Sequence, residues 1–360
     1  MPVQVYKDLL EVMKSRRGPY AGMDIPEFYE LVEELFTPRE AEVNNVLGKK
    51  PLPAGDIAKQ MGRDENEIQA ILEAMADKGL CKTYMVDGGR RYQGVPFIPG
   101  IFEYQFMGGK TTERHKKIAR LIHAYEQAYE AAAGEIKMTF PTSRVIVVDR
   151  AIDAGNTIHT YDQVANFIDK YDTIAVGTCY CRHAAQLRGE DVHGMPMDVC
   201  MWFGSMAEYA IERLGVRRMS KQEALDVLNT SEEAGLVHMS RNTTEDIEFI
   251  CNCDRWHCGT VQAVLKQSRP ALFFNSGFQP RFDPDLCTAC ETCIERCPPE
   301  ALTLGDDDVP EVDLDRCFGC AVCATGCPSE AIAMEAKLDF PIPPKDTKEL
   351  VASIKASYAK

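Results

Sequence analysis

Long apolar runs are missing from the 360-residue sequence: no stretch approaches the roughly 18 residues that a membrane-spanning helix requires. Residues 1–17 carry charges throughout and lack the apolar centre of a signal peptide, so we expect a cytoplasmic protein. Nucleotide-binding signatures are missing too, since no Gly-x-Gly-x-x-Gly follows a predicted strand and no Gly-x4-Gly-Lys-Ser/Thr occurs. The chain therefore lacks the usual signals of an enzyme that couples redox chemistry to a bound nucleotide.

Basic residues are fewer than acidic residues. The chain has 40 lysines and arginines against 55 acidic residues, a formal net charge of −15. Residues 283–335 hold thirteen of the acids and only two arginines, a local balance of −11. Such a surface favours solubility, and it also suits long-range attraction of a redox protein that presents a basic face. The sequence supports both interpretations.

Cysteine is abundant. Fifteen cysteines in a chain expected to be cytoplasmic favour metal or redox chemistry over disulfides. Eight of them form two runs of the pattern Cys-x2-Cys-x2-Cys-x3-Cys-Pro, separated by a constant shift of thirty positions. The shift also relates neighbours such as Asp283 and Asp313, so the stretch is an internal repeat. The runs are Cys287, Cys290, Cys293 and Cys297, then Cys317, Cys320, Cys323 and Cys327.

This doubled pattern is typical of two cubane clusters. Three closely spaced thiolates bind one cluster, and the fourth cysteine, which precedes proline, ligates the other cluster. Structural zinc is the alternative, but it explains neither the third cysteine of each run nor the proline. The stretch, roughly residues 282–336, resembles bacterial-type ferredoxins with two [4Fe–4S] clusters. We predict one cluster on Cys287, Cys290, Cys293 and Cys327, and a second on Cys317, Cys320, Cys323 and Cys297.

Residues 37–100 have the pattern of a winged helix-turn-helix. A capping box at Thr37–Glu40 precedes two amphipathic helices, and a hairpin is predicted over Leu80–Tyr92. The charge argues against nucleic-acid binding, because the would-be recognition helix, Asp64–Lys78, carries five acids and one lysine. We expect a packing or protein-docking module. A redox-sensing regulator, in which this region reports cluster state, is the alternative.

Six further cysteines lie between the winged-helix region and the repeat, and they predict a third metal centre. Another [4Fe–4S] cluster is the favoured occupant and zinc the runner-up. Two Cys-x-Cys pairs, expected on loops after strands, could supply four sulfurs, with the other two cysteines, Cys200 and Cys258, as replacements or outer-shell groups. If His193 or His257 filled a ligand place, or if a place stayed open, the site could bind substrate and the protein would be a reductase. The six candidates are Cys179, Cys181, Cys200, Cys251, Cys253 and Cys258.

A wider resemblance covers about 300 residues. The chain resembles a family of ferredoxin-like 4Fe–4S proteins of anaerobes, in which a winged-helix region and a cysteine-rich middle domain precede a two-cluster ferredoxin. The chain departs from that family's pattern at His193 and just after Cys253, which leaves the nature of a middle-domain site open. The matching elements are Cys179-x-Cys181-Arg182, Pro196-x3-Cys200, Glu233-Ala-Gly-Leu-Val-His238 and Cys251-Asn252-Cys253.

The sequence thus predicts an α+β protein with a winged helix-turn-helix region, a cysteine-rich mixed α/β middle domain and a C-terminal two-[4Fe–4S] ferredoxin-like domain. It favours an electron carrier, or the electron-transfer subunit of a larger oxidoreductase, over a self-contained enzyme. Oligomeric state, electron donor and electron acceptor stay open. The expected segments are 1–36, 37–100, 101–277, 278–337 and 338–360.

Overall fold

The computed structural model describes residues 3–134, 138–147, 164–245 and 247–358. In chain order, the helices are α1 Gln4–Arg16, α2 Pro26–Leu35, α3 Pro38–Val46, α4 Ala54–Met61, α5 Glu65–Asp77, α6 Phe102–Phe106, α7 Glu113–Ala133, α8 Val164–Lys170, α9 Tyr180–Arg188, α10 Gly204–Leu214, α11 Lys221–Glu233, α12 Gly259–Leu265, α13 Thr292–Glu295, α14 Val322–Thr325 and α15 Thr347–Ser357. The strands are β1 Cys81–Val86, β2 Gly89–Gly94, β3 Ser143–Val145, β4 Ile174–Gly177, β5 Cys200–Phe203, β6 Arg217–Met219, β7 Val237–Arg241, β8 Phe249–Cys253, β9 Phe278–Phe282, β10 Leu302–Leu304, β11 Pro310–Val312 and β12 Ile332–Ala336.

The chain divides into two compact units. The first comprises residues 1–136, 177–193 and 207–217, and the second comprises the remainder. Residues 101–277, expected as one cysteine-rich domain, contribute to both units. The mixture of helices with small sheets agrees with the predicted α+β class. Within the described residues, no helix is both long and apolar enough to cross a membrane.

The N-terminal part of the first unit contains the expected helices and hairpin. Thr37 accepts a hydrogen bond from the Glu40 N–H while the Glu40 side chain accepts one from the Thr37 N–H, which is the predicted capping box at the start of α3. Helices α4 and α5 follow, and β1 pairs with β2 in an antiparallel hairpin. A single bridge joins Leu52 to Tyr92 of β2. The fully buried Cys81 is a core residue, as expected.

Aromatic side chains hold α7 against the rest of the first unit. Tyr125 of α7 packs edge-on against Phe28 and Phe97, with ring centroids about 6 Å apart. Its hydroxyl donates to the Ala21 carbonyl at 2.8 Å. An apolar stripe at helical spacing predicts a helix from about Thr112 to Ala133, and α7 is that helix, with Thr112 as its N-cap. The apolar segment before it, for which the sequence predicts only a connector, also forms the short helix α6.

A six-stranded sheet in the order β3-β7-β8-β5-β4-β6 contributes most of the second unit's core. Strand β8 pairs antiparallel with both β7 and β5. The sequence predicts a short buried strand over Arg144–Asp149, but β3 ends at Val145; positions 148 and 149 lie outside the described residues. The sequence also predicts a helix over Tyr161–Tyr171, which corresponds to α8; its first three positions lie outside the described residues as well.

The cysteine repeat, residues 278–336, completes the second unit. Its outer strands β9 and β12 pair antiparallel, and its inner strands β10 and β11 form the hairpin predicted between the two runs. Each run carries a short helix, α13 in the first and α14 in the second. The four strands hold the two cysteine runs side by side.

Candidate metal centres

The two halves of the cysteine repeat have matching backbone hydrogen bonds. The Asp283 N–H donates to the Ala331 carbonyl, and the Asp313 N–H donates to the Ala301 carbonyl, both at 2.8 Å. The backbone N–H of the first cysteine in each run donates to the backbone carbonyl of the aspartate four residues earlier, at 3.0 Å in the first run and 2.9 Å in the second. Each half of the repeat is therefore hydrogen-bonded to the other half through an equivalent contact. Such a contact is expected if the fourth cysteine of each run ligates the cluster bound by the other run.

The loops also match in backbone conformation. Positions 289 and 319 are both left-handed, with φ of +52° at Ala289 and +64° at Gly319. The same holds for Glu291 and Ala321, at +58° and +65°. Left-handed residues turn the chain sharply, and non-glycine residues adopt this region at a cost. Both loops therefore make the same left-handed turns, and only the first loop has a non-glycine residue at both positions.

Four cysteines line what we call the outer cavity. Phe282 and Ile332 also line this cavity. Cys290 is exposed, Cys287 and Cys327 are half-buried, and Cys293 is buried. These residues form the set predicted for the first cluster: Cys287, Cys290, Cys293 and Cys327.

Four other cysteines line a second, inner cavity. Three of its thiols are buried, against one in the outer cavity. Two backbone N–H groups point at its sulfurs, from Ala301 to Cys297 at 3.3 Å and from Gly319 to Cys317 at 3.4 Å. The lining residues are those predicted for the second cluster: Cys297, Cys317, Cys320 and Cys323.

Two polar residues before β9, Asn275 and Ser276, anchor the inner loop, a role that their sequence pattern does not predict. Asn275 Nδ2 donates to the Cys317 carbonyl at 2.9 Å, and Ser276 Oγ donates to the Gly319 carbonyl at 2.6 Å. The Gly277 N–H donates to the Asn275 side chain at 2.8 Å, which fixes that side chain. The only signal available was a turn-forming Asn-Ser-Gly sequence close to the first run.

Burial makes the two cavities electrostatically different. Burial raises the pKa of Cys297 to about 11 and that of Cys323 well above its ordinary value. By contrast, a hydrogen bond with the Thr292 hydroxyl lowers the pKa of the exposed Cys290. Metal ligands must be deprotonated. Thiolates in the inner cavity therefore depend more strongly on a bound cation or cluster for their charge.

The second Cys-x-Cys pair lies in a strand, and the expectation that it occupies a loop is wrong. Cys251 and Cys253 belong to β8, and alternate residues of a strand point to the same face. The register of β5 with β8 pairs Met201 with Ile250, so Cys200 comes next to Cys251. Cys258 immediately precedes α12.

These four residues form one group, which we call the four-cysteine group. Cys251 hydrogen-bonds with Cys200 and Cys253, and Cys253 also with Cys258. The contact with Cys200, together with burial, raises the pKa of Cys251 well above its ordinary value, and the contacts with Cys251 and Cys258, together with burial, do the same for Cys253. Thus Cys200 and Cys258, expected only as replacements, lie with the second Cys-x-Cys pair.

Asn252 faces away from the four-cysteine group and fixes the strand. It is fully buried, accepts from His238 Nδ1 at 2.5 Å and donates to the Val199 carbonyl at 2.5 Å. His238 Nε2 lies 3.6 Å from Glu232 Oε1. Asn252 therefore ties β8 to β7 on one side and to the segment before β5 on the other.

The remaining two candidates, Cys179 and Cys181, belong to the first unit at the start of α9. Cys179 is buried and Cys181 half-buried, and the adjacent Arg182 is almost fully buried. The neighbouring His183 ring contacts the Phe106 carbonyl through Nδ1 at 3.1 Å. This first Cys-x-Cys pair thus starts a helix rather than occupying a loop.

The histidines considered as ligands contact carboxylates. His193 Nδ1 lies 3.5 Å from Asp191, and His257 Nδ1 lies 3.2 Å from Asp254. In the described part of the chain, no three His, Cys, Asp or Glu side chains surround one point as ligands of a single metal ion. This statement includes the eight repeat cysteines, which line two cavities instead of surrounding a single point. The ligands of a cubane cluster are arranged around a cavity in this way.

Comparison with known proteins places iron–sulfur chemistry in the repeat. A family model described as a 4Fe–4S binding domain matches residues 280–303, which include the first cysteine run. No curated protein matches the chain. The matched segment is short, so the wider resemblance to proteins of anaerobes stays a prediction. The chain nonetheless carries a 4Fe–4S binding domain.

Proposed function

We propose that the chain is an electron-transfer protein, or the electron-transfer subunit of a larger oxidoreductase. It would carry two [4Fe–4S] clusters in the repeat and a third metal centre in the rest of the second unit. The observation that carries the proposal is the pair of cavities, each lined by three cysteines of one run and the fourth of the other. A bound cluster supplies one-electron redox chemistry there.

The two clusters would have different roles, because their cysteine ligands differ in exposure to solvent. The outer set, Cys287, Cys290, Cys293 and Cys327, lies near solvent and suits exchange with a partner. The inner set, Cys317, Cys320, Cys323 and Cys297, is more deeply buried and suits exchange within the protein. Four thiolates occupy all four irons of a cubane, so neither site leaves a place for substrate.

Charge supports a basic redox partner. Asp306, Asp307 and Asp308 are exposed on the hairpin turn, and the Asp308 carbonyl lies 3.9 Å from Cys287 Sγ. These acids would attract a cationic surface to the outer cluster. They would also disfavour adding an electron, which lowers the reduction potentials within the cluster range.

The first unit supports a packing role for the winged-helix-like region better than a DNA-binding role. Arg213 of α10 pairs with Glu73 at 2.6 Å and with Asp77 at 2.9 Å, both on α5. The wing arginine Arg90 is bound to Glu212 at 2.6 Å. Phosphate binding needs available cations on this face. The alternative, a redox-sensing regulator, would require these pairs to open.

Rapid mixing tests the proposal. The protein is reduced with dithionite, freed of excess reductant and mixed anaerobically with a cationic cytochrome c. We expect fast reduction of the cytochrome, with a rate constant that falls at least roughly tenfold between low and high salt. An acidic cytochrome serves as the control and should react slowly. Failure to reduce either acceptor would overturn the proposal.

A further inference from the structure

The cysteine repeat has few cations, and one of them, Arg296, lies where the two halves of the repeat meet. Residues 283–335 contain thirteen acidic residues but only two arginines. Arg296 belongs to the first run, between Cys293 and Cys297, and the shift of thirty positions relates it to Gly326. The cation at this position therefore has no counterpart in the second run.

The Arg296 side chain packs against the equivalent position of the other half. A Cβ atom at Gly326 would lie 2.7 Å from Arg296 Cδ and 2.8 Å from its Cζ, so the observed position of the guanidinium requires glycine there. Positions related by the repeat contact each other only near the axis that relates its halves. Gly326 directly precedes Cys327, a predicted ligand of the outer cluster, and Arg296 directly precedes Cys297, a predicted ligand of the inner cluster. The positive charge is therefore close to a ligand-bearing segment of each cluster.

Two backbone carbonyls hold the guanidinium in place. Arg296 Nη2 donates to the Glu232 carbonyl at 2.9 Å, and Nη1 donates to the Glu233 carbonyl at 3.2 Å. Both carbonyls belong to the last turn of α11, where helix carbonyls carry partial negative charge and lack intrahelical partners. In the described part of the chain, Arg296 forms no ion pair with a carboxylate, and its Nε is buried without a hydrogen-bond partner. Its charge is therefore fixed, partly shielded from water and not neutralised by an acid.

We propose that Arg296 raises the reduction potentials of both repeat clusters through its positive charge. This inference deepens the proposed function and rests on it. Adding an electron makes a cluster more negative, so a fixed cation nearby stabilises the reduced state, and local charge is one of the factors that set cluster potentials. The thirteen acids of the repeat act in the opposite direction. Arg296 is thus a positioning residue that limits how far the acids lower the two potentials.

Anaerobic redox titration of the full-length protein, followed by electron paramagnetic resonance, tests this role. Arg296→Gln removes the charge and should lower both midpoint potentials. We expect the equilibrium constant for reduction to fall roughly tenfold, which is about 59 mV for a one-electron couple. Arg296→Lys keeps the charge, and its potentials should stay closer to those of the wild type than to those of Arg296→Gln. Arg296→Met keeps a long side chain against Gly326 and is a second neutral variant should Arg296→Gln lose a cluster.

An exposed arginine of the same unit provides the matched control. Arg269 Nη2 lies 2.7 Å from Asp315 Oδ1, and both side chains are more than half exposed. Arg269→Gln makes the same change in net charge, but solvent screens the lost charge, so both potentials should shift much less than in Arg296→Gln.

Four results would overturn the role of Arg296. They are unchanged potentials in Arg296→Gln, equal shifts in Arg269→Gln, potentials in Arg296→Lys that match those of Arg296→Gln, and cluster loss in both neutral variants, which would make Arg296 a structural residue. A shift confined to one cluster would likewise contradict its position between the two. Fewer than two titrating clusters in the wild type would instead contradict the proposed function.

Discussion

At the scale of single residues, Gly319 distinguishes the inner loop from its repeat mate. A Cβ atom there would lie 2.2 Å from the Phe278 carbonyl oxygen and 2.5 Å from Ser276 Oγ, at a φ of +64°. We expect Gly319→Ala to cost at least about 1–2 kcal/mol from backbone conformation alone, with the clash in addition. The inner cluster should be lost, which iron analysis would detect as a fall of about four irons.

The first run provides the matched control. Ala289 occupies the equivalent position at a φ of +52°, and glycine adopts that region freely. Ala289→Gly should therefore keep its full iron content. Equal iron loss in both variants, or in neither, would contradict the assigned role of Gly319.

Glu103 gives the first unit a pH dependence. Its carboxylate accepts the Gly100 N–H at 2.7 Å, and burial, followed by the nearby charge of Glu126, raises its pKa to about 8 from 4.5. The folded protein therefore holds a proton that the unfolded chain releases. This contribution to stability is full below pH 4.5 and is lost as the pH rises towards about 8, with a slope of at most about 1.4 kcal/mol per pH unit.

Glu103→Gln removes this proton and keeps an acceptor for Gly100. We expect thermal unfolding midpoints that fall less between pH 5 and pH 8 than those of the wild type. Glu30→Gln, which changes an exposed acid, is the control and should follow the wild-type curve. A parallel decline in all three proteins would rule out the assignment.

At the scale of secondary-structure elements, the side chain of Asn252 holds β8 in position between its neighbours. Asn252→Ala leaves the buried His238 Nδ1 and the Val199 carbonyl without this partner. Each unsatisfied group costs roughly 1–3 kcal/mol, so we expect a loss of that size or more in the free energy of unfolding. Gln222→Ala removes an exposed hydrogen bond to Asp226 and should stay within about 0.5 kcal/mol. Equal effects in chemical unfolding would contradict the account.

Local signals made some elements predictable and left others beyond reach. The patterns Thr37-x-x-Glu40 and Ser220-x-x-Glu223 predict capping boxes from neighbouring residues alone, and both are present. The placement of Cys200 beside Cys251 depends on strand register, which joins residues about fifty positions apart and has no local sequence signal. The anchoring of the inner loop by Asn275 is equally non-local. By contrast, the two ligand sets of the repeat can be predicted from sequence, because the spacing of the cysteines is itself typical of the two-cluster arrangement.

At the scale of the whole molecule, we expect the rate of electron transfer to a cationic partner to depend more on where the acidic residues lie than on the total net charge. Changing Asp306, Asp307 and Asp308 together to Asn removes three charges beside the outer cavity. We expect the rate constant of electron transfer to a cationic acceptor to fall severalfold at low salt and to converge with the wild type at high salt.

A control with the same change in net charge separates local attraction from overall charge. Asp8→Asn with Glu30→Gln and Glu33→Gln removes three exposed acids of the first unit. Its rate constant should stay close to that of the wild type. Equal slowing in both triple variants would assign the effect to net charge instead of a docking face.

The central claim, an electron-transfer protein with two [4Fe–4S] clusters in the repeat, is tested most directly by an anaerobic redox titration followed by electron paramagnetic resonance. The account predicts two one-electron clusters in the repeat, both with midpoint potentials below 0 mV, towards the low end of a range that reaches about −700 mV. Cys290→Ser should alter one of these signals and Cys320→Ser the other. A single titrating cluster, or midpoint potentials above about 0 mV for both, would contradict it.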